Sequence, residues 1–196
     1  EDLVDGTSRD KRQRKKGKLI EDLNNCRPLL EGDKTNPAPY HFRQLAQYLY
    51  DDTGKPNIAN VKALLLADRK CMETFAGQFG PFTTKEANKL LDKVFRYTNF
   101  SNRKVVNEIL REMEVPVCPY CNRLYITALK RKKVRPQLDH FFPKSKYPYL
   151  ALCLYNLIPS CGVCNQAKSD LDPLDSRYPP LLYPYEEEFG EDVVFA

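Results

Sequence analysis

Cys118-Pro119-Tyr120-Cys121 and Cys161-Gly162-Val163-Cys164 stand at the two ends of a segment that also carries Asp139-His140. One Cys-x-x-Cys pair alone is compatible with redox chemistry. Two pairs, separated here by 39 residues, can supply the four thiolates of a closed tetrahedral zinc site. Such a site leaves no coordination position open, so its ion holds the fold together and does no catalysis. The spacing therefore predicts a structural zinc on Cys118, Cys121, Cys161 and Cys164, closing the residues between into a loop. The competing readings are four unmetallated core cysteines and thioredoxin-like redox chemistry.

Inside the loop the pattern is that of short extended pieces. Arg123 to Leu129 is rich in β-branched and aromatic residues, and Val134 to Phe142 reads as a second extended segment. Leu154 to Ile158 is a further apolar stretch before Pro159, and Asn165-Gln-Ala-Lys-Ser reads as the first turns of a short helix. The order is strand, strand, short extended piece, helix.

Upstream, the chain reads as helices. Phe42, Leu45, Ala46 and Leu49 recur at helical spacing. A second helix is expected from about Asn60 to Phe75, stopped by Gly77 and the Gly80-Pro81 pair. Thr83-x-x-Glu86 has the form of a capping box, followed by the stripe Ala87, Leu90, Leu91, Val94 and Phe95. Ser101 reads as the N-cap of a helix that turns Val106, Ile109, Leu110 and Met113 inward. Four segments result: a basic flexible tail (1–17), a helical region (18–115), the cysteine-bounded core (116–172) and an acidic Pro/Tyr-rich segment (173–196) that wraps the surface.

The 196 residues are 42% hydrophobic and 29% charged, a globular composition in one domain or two small ones. No apolar run approaches the ~18–20 residues of a membrane span, so no membrane partner is expected. The opening EDLVDGTSRD does not read as a secretion signal. A reducing, cytoplasmic compartment is expected, and with it no disulfide framework. The remaining cysteines, Cys26, Cys71 and Cys153, read as buried small hydrophobes.

The net charge of +5 says less than its distribution. Six of the eight residues from Lys11 to Lys18 are basic, and Asn122 to Lys146 holds eight Lys or Arg against Asp139 alone. Asp170 to Ala196 holds eight acids against one Arg. A polyanion would lie along the middle of the chain, on Lys130, Arg131, Lys132, Lys133, Arg135, Lys144 and Lys146. Such contacts hold backbone phosphates and read no base sequence.

The ordered set Cys118-x-x-Cys121, Leu138-Asp139-His140-Phe-Phe-Pro-Lys-Ser, Tyr155-Asn156-Leu-Ile-Pro-Ser, Cys161-x-x-Cys164 and Asn165-x-x-Lys168 resembles the zinc-braced HNH endonucleases. The resemblance covers about 53 residues, Cys118 to Asp170, and similar cores occur in bacterial restriction and anti-phage defence effectors. The last family position, often His, is Asn165 here.

The resemblance implies an α+β fold, with the helical region followed by a ββα-metal, treble-clef-like nuclease core. It implies metal-dependent hydrolysis of DNA phosphodiester bonds, with double-stranded DNA as partner. His140 would be the general base, since an imidazole with a pKa near ~6.5 is neutral and basic at pH 7. Asp139 and Asn165 would offer the hard oxygen ligands that Mg²⁺ or Mn²⁺ prefers. Asn156 would brace the loop under His140, and Lys168 would lie near the same phosphate. His41, the only other histidine, reads as a bystander. A regulatory partner or an oligomeric switch is expected, because an unregulated nuclease harms its host. The reading from another class is a zinc-braced nucleic-acid-binding module without catalysis, which has no need of Asp139-His140 and Asn165 together.

Overall fold

The computed structural model describes residues 18–32, 39–101, 104–127, 135–188 and 190. The basic tail and the Lys130–Lys133 cluster lie outside the described residues. The helical region comprises α1 (Lys18–Glu31), α2 (Tyr40–Leu49), α3 (Ile58–Leu65), α4 (Arg69–Phe79), α5 (Lys85–Val94), the short α6 (Tyr97–Ser101) and α7 (Lys104–Glu112). After it come β1 (Gln137–His140), two single 3-10 turns (Pro148–Leu150 and Leu154–Asn156), β2 (Leu157–Ser160) and α8 (Gly162–Lys168). Among the described residues the regular structure is thus mostly helical, with one two-stranded sheet. No helix among the described residues is long and apolar enough to cross a membrane.

The apolar stripes form the core. Phe42, Leu45, Ala46 and Leu49 of α2 are buried, as are Ala87, Leu91 and Val94 of α5. Leu90 is half-buried at the edge of the stripe. Val106 and Leu110 of α7 are buried, with Ile109 and Met113 packed against them.

Two helix boundaries differ from the sequence expectation, each for a local reason. The helix expected over 60–75 is two, because Asp68 caps a new start: its side chain accepts from Cys71 N–H. α4 then runs through Gly77 and ends at Gly80, whose φ of +69° is a conformation that glycine adopts at no steric cost. The cap of α5 is Thr84, accepting from Ala87 N–H at 3.2 Å, and not Thr83. Ser101 lies in α6, with its hydroxyl donating to the Thr98 carbonyl, and α7 is described from Lys104 onward.

Over its described residues, 123–127, the strand expected over 123–129 does not form. Among its described residues a single antiparallel bridge, Tyr125 to Val117, is present. Cys118 N–H donates to Leu124 O and Ile126 N–H to Pro116 O, while Asn122 takes φ +47°. The β-forming residues here close a tight turn back onto Cys118. Cys71 is exposed and not buried, while Cys26 and Cys153 are buried.

The second extended segment condenses to β1, which pairs antiparallel with β2 in the register Gln137 to Ser160, Asp139 to Ile158 and His140 to Leu157. The segment between the strands joins the helical core. Phe141 and Phe142 are buried, each worth roughly 1.5–3 kcal/mol by removal from water. The Tyr149 hydroxyl is within hydrogen-bond distance of the Phe75 and Gly80 carbonyls, at 3.3 and 3.2 Å. Cys153 donates its thiol to Ala67 O. The helices are therefore the wall against which the site-bearing segment is packed.

The segment after α8 is built in more deeply than a surface wrap. Tyr183 is 1% exposed. Its hydroxyl donates to the Tyr155 carbonyl and that of Tyr185 to the Leu157 carbonyl, both at 2.7 Å. Glu187 completes the attachment with an ion pair to Arg69 at 2.8 Å.

Candidate metal centre and catalytic cleft

Cys118 and Cys121 flank a turn, and Cys161 is the N-cap of α8, with Cys164 one turn along. The four Sγ atoms lie within 4.8 Å of one another. Thiolates about 2.3 Å from a tetrahedral zinc would stand about 3.8 Å apart, so modest inward movement brings all four onto one ion. The cysteines are positioned to bind a metal. Cys118, Cys161 and Ile126 form a hydrophobic cluster of their own, separate from the main core.

Tyr120 joins this centre to β1. It sits between Cys118 and Cys121, packs against both clusters, and donates its hydroxyl to Asp139 Oδ2 at 2.7 Å. Asp139 is 3% exposed. The Lys168 ammonium lies 3.1 Å from the same Oδ2 and donates to the His140 carbonyl at 2.7 Å. Burial pushes the Lys168 pKa down, against the pull of Asp139.

Successive strand residues face opposite ways. Asp139 meets Tyr120 and α8, and His140 meets the helical region. Tyr97 of α6 packs edge-on against the His140 ring, centroids 4.4 Å apart. The imidazole Nε2 lies 3.1 Å from the Ala151 carbonyl. A carbonyl only accepts, so Nε2 carries the proton and Nδ1 the lone pair. Burial lowers the His140 pKa to about 3, aided by the nearby Lys144 and Lys168 charges and opposed by the Ala151 bond. The ring is neutral at pH 7.

β1 ends at His140, so both residues reach one cleft of about 470 Å³. Its lining includes Tyr97, Arg135, Asp139, His140, Lys144 and Asn165. Asn165 donates its amide to Gln137 Oε1 at 2.7 Å, which leaves the Asn165 carbonyl oxygen as an acceptor. Gln137 lies close against α8, where a side chain at Gly162 would meet its amide at 3.2 Å. The Lys144 ammonium is 5.1 Å from the Tyr97 ring centroid. Lys146 is engaged elsewhere, 3.1 Å from Asp172 Oδ2. Lys168 lies under Asp139 and not among the cleft-lining side chains.

Asn156 is fully buried and spans the chain on both sides of the turn. Its Oδ1 accepts from Phe142 N–H at 2.7 Å, and its amide donates to the Phe142 and Leu150 carbonyls at 3.1 and 3.0 Å. Asn156→Ala is expected to cost on the order of 3 kcal/mol, since three buried backbone groups lose partners. Chemical denaturation measures it.

Tyr97, Tyr120 and Gln137 escaped the sequence reading. Only Tyr120 carried a signal, an aromatic between two candidate ligands.

Over 75 residues the chain is 35% identical to the Septu protein PtuB of Bacillus thuringiensis. That match covers 38% of this chain, and the chain spans about a quarter (26%) of the length of this curated relative. No model of a known protein family matches the chain. No solved structure matches it.

Proposed function

We propose that this chain is a zinc-braced, metal-dependent HNH-type DNA endonuclease acting in anti-phage defence. The observation that carries the reading is the meeting of Asp139, His140 and Asn165 at one cleft beside four clustered cysteines. The order β1, β2, α8 supports a ββα-metal core, and the similarity to a Septu protein supports the defence role. The four thiols are read as a structural zinc site.

Asp139 and Asn165 fit a hard divalent cation. Both offer oxygen, and Mg²⁺ takes one or two protein ligands and completes its shell with water and phosphate. When bound, Mg²⁺ or Mn²⁺ would supply Lewis-acid stabilisation of charge on the scissile phosphate. His140 Nδ1 is the atom that takes a proton from the attacking water. Nε2 stays on Ala151 O, which holds the ring and favours its protonated form. An incoming phosphodiester adds negative charge beside the imidazole and strengthens it as a base. Tyr97 keeps one face of the ring from water. Tyr120 and Gln137 orient Asp139 and Asn165.

Arg135 and Lys144 line the cleft and suit backbone phosphates. Replacing both by Ala is expected to weaken binding of unrelated duplexes equally. The salt slope should fall by about 2, at ~0.9 for each phosphate no longer neutralised. Lys146→Ala, already paired to Asp172, is expected to change the slope little. Affinity titrations at several salt concentrations separate the two.

The function is tested by nicking of supercoiled plasmid with Mg²⁺, Mn²⁺ or EDTA. Metal-dependent cutting supports the reading. DNA binding without cutting in any metal would make the chain a zinc-braced binding module instead.

A further inference from the structure

The Lys168–Asp139 ion pair has a use that neither the zinc centre nor the base explains. Both side chains are almost wholly buried, 8% and 4% exposed. Lys168 is one helical turn beyond Asn165 on α8, so the helix that offers one proposed metal ligand also puts a fixed positive charge on the other. That charge is fastened from below by the His140 carbonyl at 2.7 Å. Tyr120 occupies a further position on Asp139 Oδ2. The carboxylate therefore meets any incoming cation already neutralised and already donated to.

We infer that Lys168 is a built-in competitor for the divalent cation, occupying Asp139 when no metal is bound and setting the metal concentration at which the site fills. The inference rests on the nuclease reading of Asp139 and Asn165. Two cations on one carboxylate repel each other strongly where water is scarce, so loading proceeds only as the ammonium is displaced or its interaction weakened. A buried carboxylate is costly without a partner. The lysine answers that need in the empty site, and the metal answers it in the loaded one. The device keeps the cleft organised at low metal and delays its filling.

The test measures Mn²⁺ binding by electron paramagnetic resonance on the full, zinc-loaded chain, with melting temperature followed in the same titration. Lys168→Met removes the charge and keeps the length. Lys168→Gln removes the charge and keeps a donor for the His140 carbonyl, and serves if the Met variant does not fold. Lys168→Arg keeps the charge. Both neutral variants are expected to bind Mn²⁺ at least about tenfold more tightly than wild type, with a larger Mn²⁺-induced rise in melting temperature. The Arg variant is expected to stay near wild type. Equal or weaker Mn²⁺ binding in the neutral variants overturns the inference. Asp139→Ala separates the two levels. If it binds Mn²⁺ as wild type does, or neither binds, the metal assignment fails and the inference falls with it. If wild-type binding depends on Asp139 but the neutral variants do not tighten it, the inference alone fails.

Discussion

Replacing His140 by Ala is expected to lower plasmid cleavage by roughly a hundred- to ten-thousandfold, the range a positioned general base supplies. Zinc content and duplex affinity are expected to stay near wild type. The imidazole touches neither cysteine pair, and the cleft cations Arg135 and Lys144 remain. The substitution also removes a buried ring packed on Tyr97, so some stability is lost. The comparison is therefore made well below the melting temperature and at equal zinc occupancy. Equal cutting by both proteins would remove His140 from the mechanism.

Cys161→Ser is expected to be the most damaging single change to the fold. Zinc can contribute on the order of 10 kcal/mol or more in small zinc-binding peptides, and Cys161 is both a proposed ligand and the cap of α8. Among the described residues, the buried members of the hydrophobic cluster beside it are Cys118, Ile126 and Cys161, too few to stand without the metal. Residues 115–126 and α8 should therefore lose amide protection. Phe142 and Leu150, buried in the helical core with amides bonded to Asn156 Oδ1 and Tyr147 O, should keep theirs. Hydrogen exchange, with elemental analysis for zinc, reads both. Uniform protection in a zinc-free wild type would mean that the cysteines brace nothing.

Local patterns of composition were readable in the sequence, and distant meetings were not. The stripes of α2, α5 and α7 follow from apolar residues at fixed spacing, and the four clustered cysteines from two paired turns. The break at Asp68 was missed because the apolar pattern runs across it and a side-chain cap outcompetes the pattern. Leu124, Tyr125 and Ile126 were misread because β propensity reports a preference for extended backbone, not whether a partner strand exists. Tyr97 beside His140, Tyr120 on Asp139 and Gln137 on Asn165 are each set by tertiary packing, which no window of sequence encodes.

The contact of Tyr97 with His140 also bears on how such a chain can be inherited. The ring that walls the proposed base comes from α6, before the first cysteine pair, and the Phe75 and Gly80 carbonyls that face the Tyr149 hydroxyl come from earlier still. A gene fragment encoding only residues 116–172 would carry every residue of the motif and leave behind the surface that shapes its cleft. Recombination at that point transfers a signature without its environment. The helices and the motif are therefore expected to travel as one hereditary unit, and a change at Tyr97 is expected to be felt by a partner 43 positions downstream.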